Sequence, residues 1–474
     1  MHKLLSRQVW LGLSGLVLSA CSMIPGYERP QAPVPQVFPA SSAMPGGVAS
    51  PDVGWAEFFA DERLRTLIAT ALSNNRDLRL ALSRVSEARA QLGITEADRL
   101  PNVDAVLGST TNRASRDLVG AAGRQVARRS DLNVSLLSFE LDFWGRVRAL
   151  TEAAKASYLA SEEGARAIRL SLIGDVATAY YTLLEFEQRI ALTQATLTAR
   201  TEQQNLTARR AAIGIVSDLD RLQAEASLES ARAELAALLR QRDAARNALN
   251  LLAGYTTEMP GGRLTEVAQP GAARPLPGLA AESLLARPDV AAAEQRLLAA
   301  NASIGAARAA FFPRIVLTGA FGNASRQLDN LFEDDSRAWS FLPQIRLPLF
   351  DAGRNAANLS LAEARKISAV AEYERVLQQA FREVADALSA RAALRDEVEA
   401  REKTSRIQSQ RLALAEKRYR VGLVSFLDVL DAQRESYAAE QAWVQSLRQQ
   451  ITTEVLLYKA LGGGMRKEDA AAAG

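Results

Sequence analysis

The side chains that most often carry enzymatic or metal chemistry are nearly absent from this 474-residue chain. It has one histidine, His2, and one cysteine, Cys21, both at its start. The rest of the chain therefore has no imidazole for a Ser-His-Asp triad, no Cys-His pair and no thiolate or imidazole metal site. It contains no G-x-G-x-x-G, no G-x-x-x-x-G-K-[ST] and no H-E-x-x-H. Soft-metal relays need thioether, thiolate or imidazole donors. The five methionines (Met1, Met23, Met44, Met259 and Met465) all lie outside the long helical stretches. Carboxylate chemistry is what remains, and the expectation is a non-enzyme with no cofactor and no metal. The formal net charge is +3, falling to +1 once residues 1–20 are removed. With no basic block, a nucleic-acid partner is not expected.

Cys21 stands where a different chemistry operates. Lys3 and Arg7 precede a short apolar run, Val9 to Leu18, and then Leu18-Ser19-Ala20-Cys21. This reads as a secretory signal over 1–20 that ends in a lipobox, with Cys21 as the lipidation point. Diacylglycerol and an N-acyl chain on Cys21 would anchor the mature protein stably, at about 0.8 kcal/mol per buried CH₂. Ser22 follows, where bacterial sorting reads an Asp as an inner-membrane signal, so the outer membrane is expected. No run of 18 or more apolar residues occurs after residue 20. Any crossing by the body must therefore be a closed β-barrel.

The elements that carry these residues are written twice. Asp77, Gly93 and Pro101 return as Asp289, Gly305 and Pro313, each 212 residues on. Gly145-Arg146 returns as Gly353-Arg354 at an offset of 208. The same offset relates Gly214, Val216, Ser217, Leu219 and Asp220 to Gly422, Val424, Ser425, Leu427 and Asp428. A fixed offset over so many positions marks a duplicated unit. The expected organisation is a signal (1–20), a lipidated extended strap rich in proline (21–55), and a first repeat (56–254). A Pro/Gly linker (255–281), a second repeat (282–464) and a tail (465–474) follow.

Each repeat reads helix, two strands, a very long helix, a turn and a shorter helix. Positions 354–421 contain no glycine or proline, enough for a single helix of about 100 Å. Leu377, Phe381, Val384 and Leu388 step as in a coiled coil, as do Leu430, Tyr437, Val444, Ile451 and Tyr458. Strands are expected over about 102–142 and 314–349. There Trp339, Phe341 and Ile345 alternate with Ser340, Gln344 and Arg346, and Ile315, Leu317 and Phe321 with Val316, Thr318 and Ala320. Apolar-out, polar-in alternation fits a membrane barrel. Four strands are too few to close one, so a homotrimer with 12 strands is the simplest assembly.

These stretches resemble the outer membrane factor (TolC-like) family, and within it the OprM-like lipoprotein branch. The resemblance rests on Cys21 to Tyr27, Ala300 to Pro313, Arg418 to Gly422, Leu430 to Arg434 and Tyr458 to Gly462. It implies a mainly α fold with a β-barrel: a homotrimeric α/β-barrel duct with a long periplasmic helical barrel. It also implies the exit channel of a tripartite RND-type efflux pump. Such a channel passes antibiotics and other small toxic compounds passively, with a periplasmic membrane fusion adaptor and an inner-membrane pump as partners. By resemblance Gly214, Val216, Ser217, Leu219, Gly422, Val424, Ser425 and Leu427 meet the adaptor. Leu427, Asp431 and Arg434 form a lumen-facing gate at the periplasmic end, in which Arg434 is expected to pair with an acid on a neighbouring helix. Read without the resemblance, Asp431 and Arg434 are an ordinary exposed i,i+3 pair. The competing function is a periplasmic coiled-coil lipoprotein with no pore; a carboxylate-based envelope enzyme fits less well, since long Ala-rich helices offer no deep cleft.

Overall fold

A computed structural model of the chain describes residues 22–38, 54–119, 125–255, 262–267 and 281–463. The signal, Cys21, most of the linker and the tail fall outside them. In chain order the described elements are α1 (Trp55–Phe58), α2 (Glu62–Asn74), α3 (Arg76–Ala97), β1 (Val103–Arg113), α4 (Arg116–Val119) and β2 (Val126–Leu141). Then come α5 (Arg146–Ala212), α6 (Asp218–Ala253), α7 (Pro288–Ala309), β3 (Arg314–Ser325), β4 (Arg337–Arg346), α8 (Arg354–Arg420) and α9 (Phe426–Ala460). α5 and α8 each run 67 residues without a break, about 100 Å at 1.5 Å per residue. Among the described residues no helix is long and apolar enough to cross a membrane.

By packing, the chain divides into two compact units, each drawing segments from both halves of the sequence. The first holds residues 83–162 and 292–374 with the strap up to Gln31; the second holds 32–82, 163–291 and 375 onward.

The first unit contains a single antiparallel sheet in the order β1-β2-β3-β4. Its register sorts the side chains into two faces. On one, Val103, Leu136, Gly319 and Phe341 share a row, and Ala105, Val134, Phe321 and Trp339 share the next. The other face carries Asp104, Ser135, Ala320 and Ser340, then Val106, Asn133, Gly322 and Ala338. A β-bulge between Leu136 and Phe139 shifts the pairing, with Ser138 at φ 54°. The extra residue keeps Phe139 and Leu141 on the apolar face although they have the opposite parity to Leu132, Val134 and Leu136. Pro343 pairs with Leu317 within β4, and since a strand residue's single N–H points toward one neighbour, its absence affects one ladder only. Pro348 lies beyond the end of β4.

Where the strands meet the long helices, Glu140 accepts hydrogen bonds from Arg146 at 2.7 and 2.8 Å and from Arg314 Nε at 3.0 Å. The Trp144 ring stacks on Phe312, and its indole N–H donates to the Pro313 carbonyl. The strap is also tied down in this unit. Arg29 donates twice to Glu294, at 2.8 and 3.0 Å, and the Tyr27 hydroxyl donates to the same carboxylate. Burial, helped by that bond, pushes the Tyr27 phenol up to about 12. It therefore remains a neutral donor at any physiological pH.

The second unit carries the main apolar core. Phe58 stacks on Tyr458 at 4.2 Å, and Leu64, Ile68, Val176, Leu184, Leu249, Val444 and Val455 pack around them. Tyr180 donates to Asp61 at 2.7 Å. Glu185 on α5, almost fully buried, accepts from Arg189 and from Arg448 of α9. The heptad-spaced positions Val444, Ile451 and Tyr458 are buried, as are Leu377, Val384 and Leu388. Gly254 caps α6 at φ 81°, and a Cβ there would lie 2.5 Å from the Asn74 carbonyl oxygen. Gly254→Ala combines a strained φ with that overlap, so it should cost about 2 kcal/mol. The expected readout is a lower midpoint in urea unfolding of the detergent-solubilised protein.

Candidate functional site

Both helical hairpins are built on the same turn. α5 and α8 each end at a glycine with positive φ, Gly214 at 75° and Gly422 at 76°, the conformation that stops a helix most cheaply. Ser217 and Ser425 then start α6 and α9 with full capping boxes. The Ser425 hydroxyl and N–H donate to Asp428 at 2.6 and 2.9 Å, and the Asp428 N–H donates back to the Ser425 oxygen. Ser217 and Asp220 repeat this arrangement. The Ser425 bonds hold the Asp428 carboxyl below the usual aspartate range, so the cap stays ionised at neutral pH.

What these turns present is apolar. Ile213, Ile215 and Leu219 are 71%, 67% and 64% exposed; their counterparts Val421, Leu423 and Leu427 are 69%, 73% and 60% exposed. Val216 and Val424 are half-buried beneath them, and Ser217 and Ser425 are exposed. Ile213, Ile215, Val421 and Leu423 were not singled out in the sequence, although the 208-residue offset relates them as it does Leu219 and Leu427. Their signal is the presence of large apolar residues beside a helix-ending glycine, where small polar ones would suffice. Each turn thus presents three large apolar side chains to solvent.

One turn of helix further on, the two hairpins differ. Asp431 accepts from Arg434 on its own helix at 2.6 Å and from Arg411 of α8 at 2.8 Å. Arg434 also lies 3.5 Å from Glu435. The inter-helix partner in the cluster is thus an arginine meeting Asp431, and Arg434 finds its acids on its own helix. Arg411 was missed because it lies 20 residues away in the sequence. A signal did exist: reflection through the hairpin places Asp431 opposite 411–415, where Arg411 is the single charged residue. Leu427 is exposed on the same face of α9. The corresponding first-half positions are Gln203, Leu219, Gln223 and Ala226, so the charge cluster is confined to the second hairpin. The two hairpins are linked where Arg210 of α5 donates to the Tyr419 hydroxyl of α8 at 3.3 Å. Among the described residues no group of acidic, His or Cys side chains could hold a metal ion.

The sequence profile of the outer membrane efflux proteins matches residues 67–255 and again 279–463. The chain belongs to this family. Among its relatives, outer membrane protein OprJ of Pseudomonas aeruginosa is 45% identical over 461 residues, 95% of each chain. The toluene efflux pump outer membrane protein TtgF of Pseudomonas putida is 41% identical over 459 residues, 95% of each chain. The crystal structure of the open state of the MtrE outer membrane channel of Neisseria gonorrhoeae has a TM-score of 0.86 and 39% identity. It covers 94% of this chain and 99% of that one. This efflux protein is accordingly an outer membrane exit duct of the α/β-barrel type, a trimer that extends into the periplasm. Its family is one of transporters rather than enzymes.

Proposed function

We propose that this efflux protein is the passive outer membrane channel of a tripartite RND-type pump, lipid-anchored at Cys21. It receives antibiotics and other small toxic organic compounds from a periplasmic membrane fusion adaptor. It has no catalytic activity and needs no cofactor. The observation that carries this reading is the sheet. It has one apolar face, one polar face and two edges, β1 and β4, without a strand partner among the described residues. An open edge in lipid leaves backbone groups unsatisfied, so β4 of one copy pairs with β1 of the next, and three copies close 12 strands. The hairpin turns at Gly214 and Gly422, with Val216, Ser217, Leu219, Val424, Ser425 and Leu427, form the adaptor contact. Ile213, Ile215, Val421 and Leu423 extend it. Leu427, Asp431 and Arg434, with Arg411 behind them, form the resting constriction.

Purified trimers in planar bilayers test the reading: ohmic single-channel conductance is expected, and a scaffold without a pore would give none. Mass spectrometry of the mature protein should show diacylglycerol and an N-acyl chain on Cys21; a free thiol there would remove the anchor from the reading. The cargo is organic, since the hairpins and strands carry no soft-metal ligand. Deleting the gene should lower tolerance to organic toxicants and leave copper tolerance unchanged, and the reverse pattern would overturn the cargo assignment.

A further inference from the structure

The apolar face of the sheet does not run its full length. Above the rows of Phe341 and Trp339 the same face carries Leu107, Leu132, Asn323 and Arg337 in one row, then Ser109, Ser130 and Ser325. Thr111 and Arg128 occupy the next row, and Arg113 with Val126 the last. Arg113 and Arg128 are thus on the lipid-facing side beyond the apolar band, and Arg337 on the same side at its edge, toward the end remote from the long helices. All three are exposed. Arg113 and Arg128 are diagonal neighbours on adjacent rows, close enough to act on one ligand. Arg337 lies about 13 Å below Arg128 and about 20 Å below Arg113, four and six residues along the strands at about 3.3 Å each.

The partners of these arginines set them apart. Arg129, one residue from Arg128 and on the opposite face, is held by Asp131 at 2.6 Å. No hydrogen bond or ion pair joins the side chains of Arg113, Arg128 or Arg337 to any described residue. Asp117 and the acidic turn of Glu333, Asp334 and Asp335 do not approach them within ion-pair distance. On the polar face Arg129 and Arg314 each meet a carboxylate, whereas these three outward arginines meet none among the described residues. Along the strands, Arg337 stands about 7 Å above the aromatic row of Phe321 and Trp339, Arg128 about 20 Å and Arg113 about 26 Å, so the three run from the edge of the apolar band toward the head groups.

We propose that Arg113, Arg128 and Arg337 form a binding surface for the phosphate groups of the outer-leaflet glycolipid, lipopolysaccharide. Arginine suits this ligand because its planar fork grips a phosphate by two parallel N–H bonds and remains charged at all relevant pH. Basic residues at a membrane boundary attract anionic lipid in the same way. The surface would fix the depth and tilt of the barrel and gather glycolipid around it. It rests on the assignment of the sheet to a membrane barrel.

The test titrates the detergent-solubilised full-length trimer with bisphosphorylated lipid A in the presence of a chelator, read by native mass spectrometry. Wild type should bind it. Arg113→Gln/Arg128→Gln/Arg337→Gln should bind about tenfold more weakly or worse, and the corresponding triple Lys variant should bind with intermediate affinity. Arg129→Gln, on the other face, should bind as wild type. Retention of affinity in the triple Gln variant, equal binding of dephosphorylated lipid A, or displacement by inorganic phosphate would each overturn the proposal. So would equal affinity for phosphatidylglycerol, which would make the surface a general anionic-lipid one. Trimer assembly and bilayer conductance of the Gln variant guard against misfolding. A trimer that conducts yet binds lipid A independently of these arginines defeats this inference alone; a wild type that never inserts into a bilayer defeats the barrel itself.

Discussion

Trimers carrying Asp431→Ala with Arg434→Ala should conduct several-fold more current than wild type and lose cation preference. In the proposed constriction, threefold symmetry turns the Asp431 carboxylate into a ring of three, and such a ring favours cations. Removing it lowers selectivity directly. The rise in conductance comes from the other side of the cluster. Asp431 joins α9 to α8 through Arg411, and without it the hairpin loses a brace that the trimer repeats three times. Each exposed pair is weak, about 0–1 kcal/mol, which suits a constriction that partner binding must open. Arg411→Ala alone should give part of the conductance increase while keeping the carboxylate ring and its selectivity. A solvated surface cluster predicts wild-type recordings from all these variants, and that result would remove the gate assignment. Stability is a poor readout here, because substitutions at such exposed positions shift it by about 0.5 kcal/mol or less.

The second large effect is expected at the hairpin turns. Ile215→Asp with Leu423→Asp should abolish efflux in cells, with susceptibility to organic toxicants equal to that of a deletion strain. Both side chains project into solvent, at 67% and 73% exposure, so the fold of the single chain does not bury them. Burying an Ile or Leu against a partner contributes about 2 kcal/mol, and a trimer presents each site three times. A carboxylate in that interface carries a desolvation cost in place of the gain. The purified double variant should still assemble and conduct, which separates lost docking from lost folding. Leu423→Met should leave efflux intact. Normal drug tolerance in the Asp variant would show that the turns are not the docking surface.

Much of the architecture was legible in the sequence, for a physical reason. Long helices declare themselves by the absence of Gly and Pro, and a barrel strand by alternation, both local properties. The four strands and the two glycine turns fell where these signals placed them. The turn positions Gly214 and Gly422 were readable because positive φ restricts the choice of residue. Contacts made by reach across two helices were not. Arg411 meets Asp431 because its long side chain spans a hairpin, and Glu294 ties down Arg29 from 265 residues away. The division into two packed units, each taking pieces of both halves, was equally hidden. Repetition in sequence records how a unit was copied, whereas packing follows the lengths of helices that outrun any one unit.

The bulge between Leu136 and Phe139 changes how insertions and deletions should be weighed in this protein. A surface loop tolerates a lost residue because nothing downstream depends on its count. In β2 the count itself carries information, since it decides which face every later side chain joins. Deleting Leu137 or Ser138 would leave composition and strand length almost unchanged. It would nevertheless turn Glu140 toward lipid, strip Arg146 and Arg314 of their shared carboxylate, and turn Phe139 and Leu141 toward water. Variation among natural copies of this strand should therefore run through substitution, with gaps confined to the turns that join the strands.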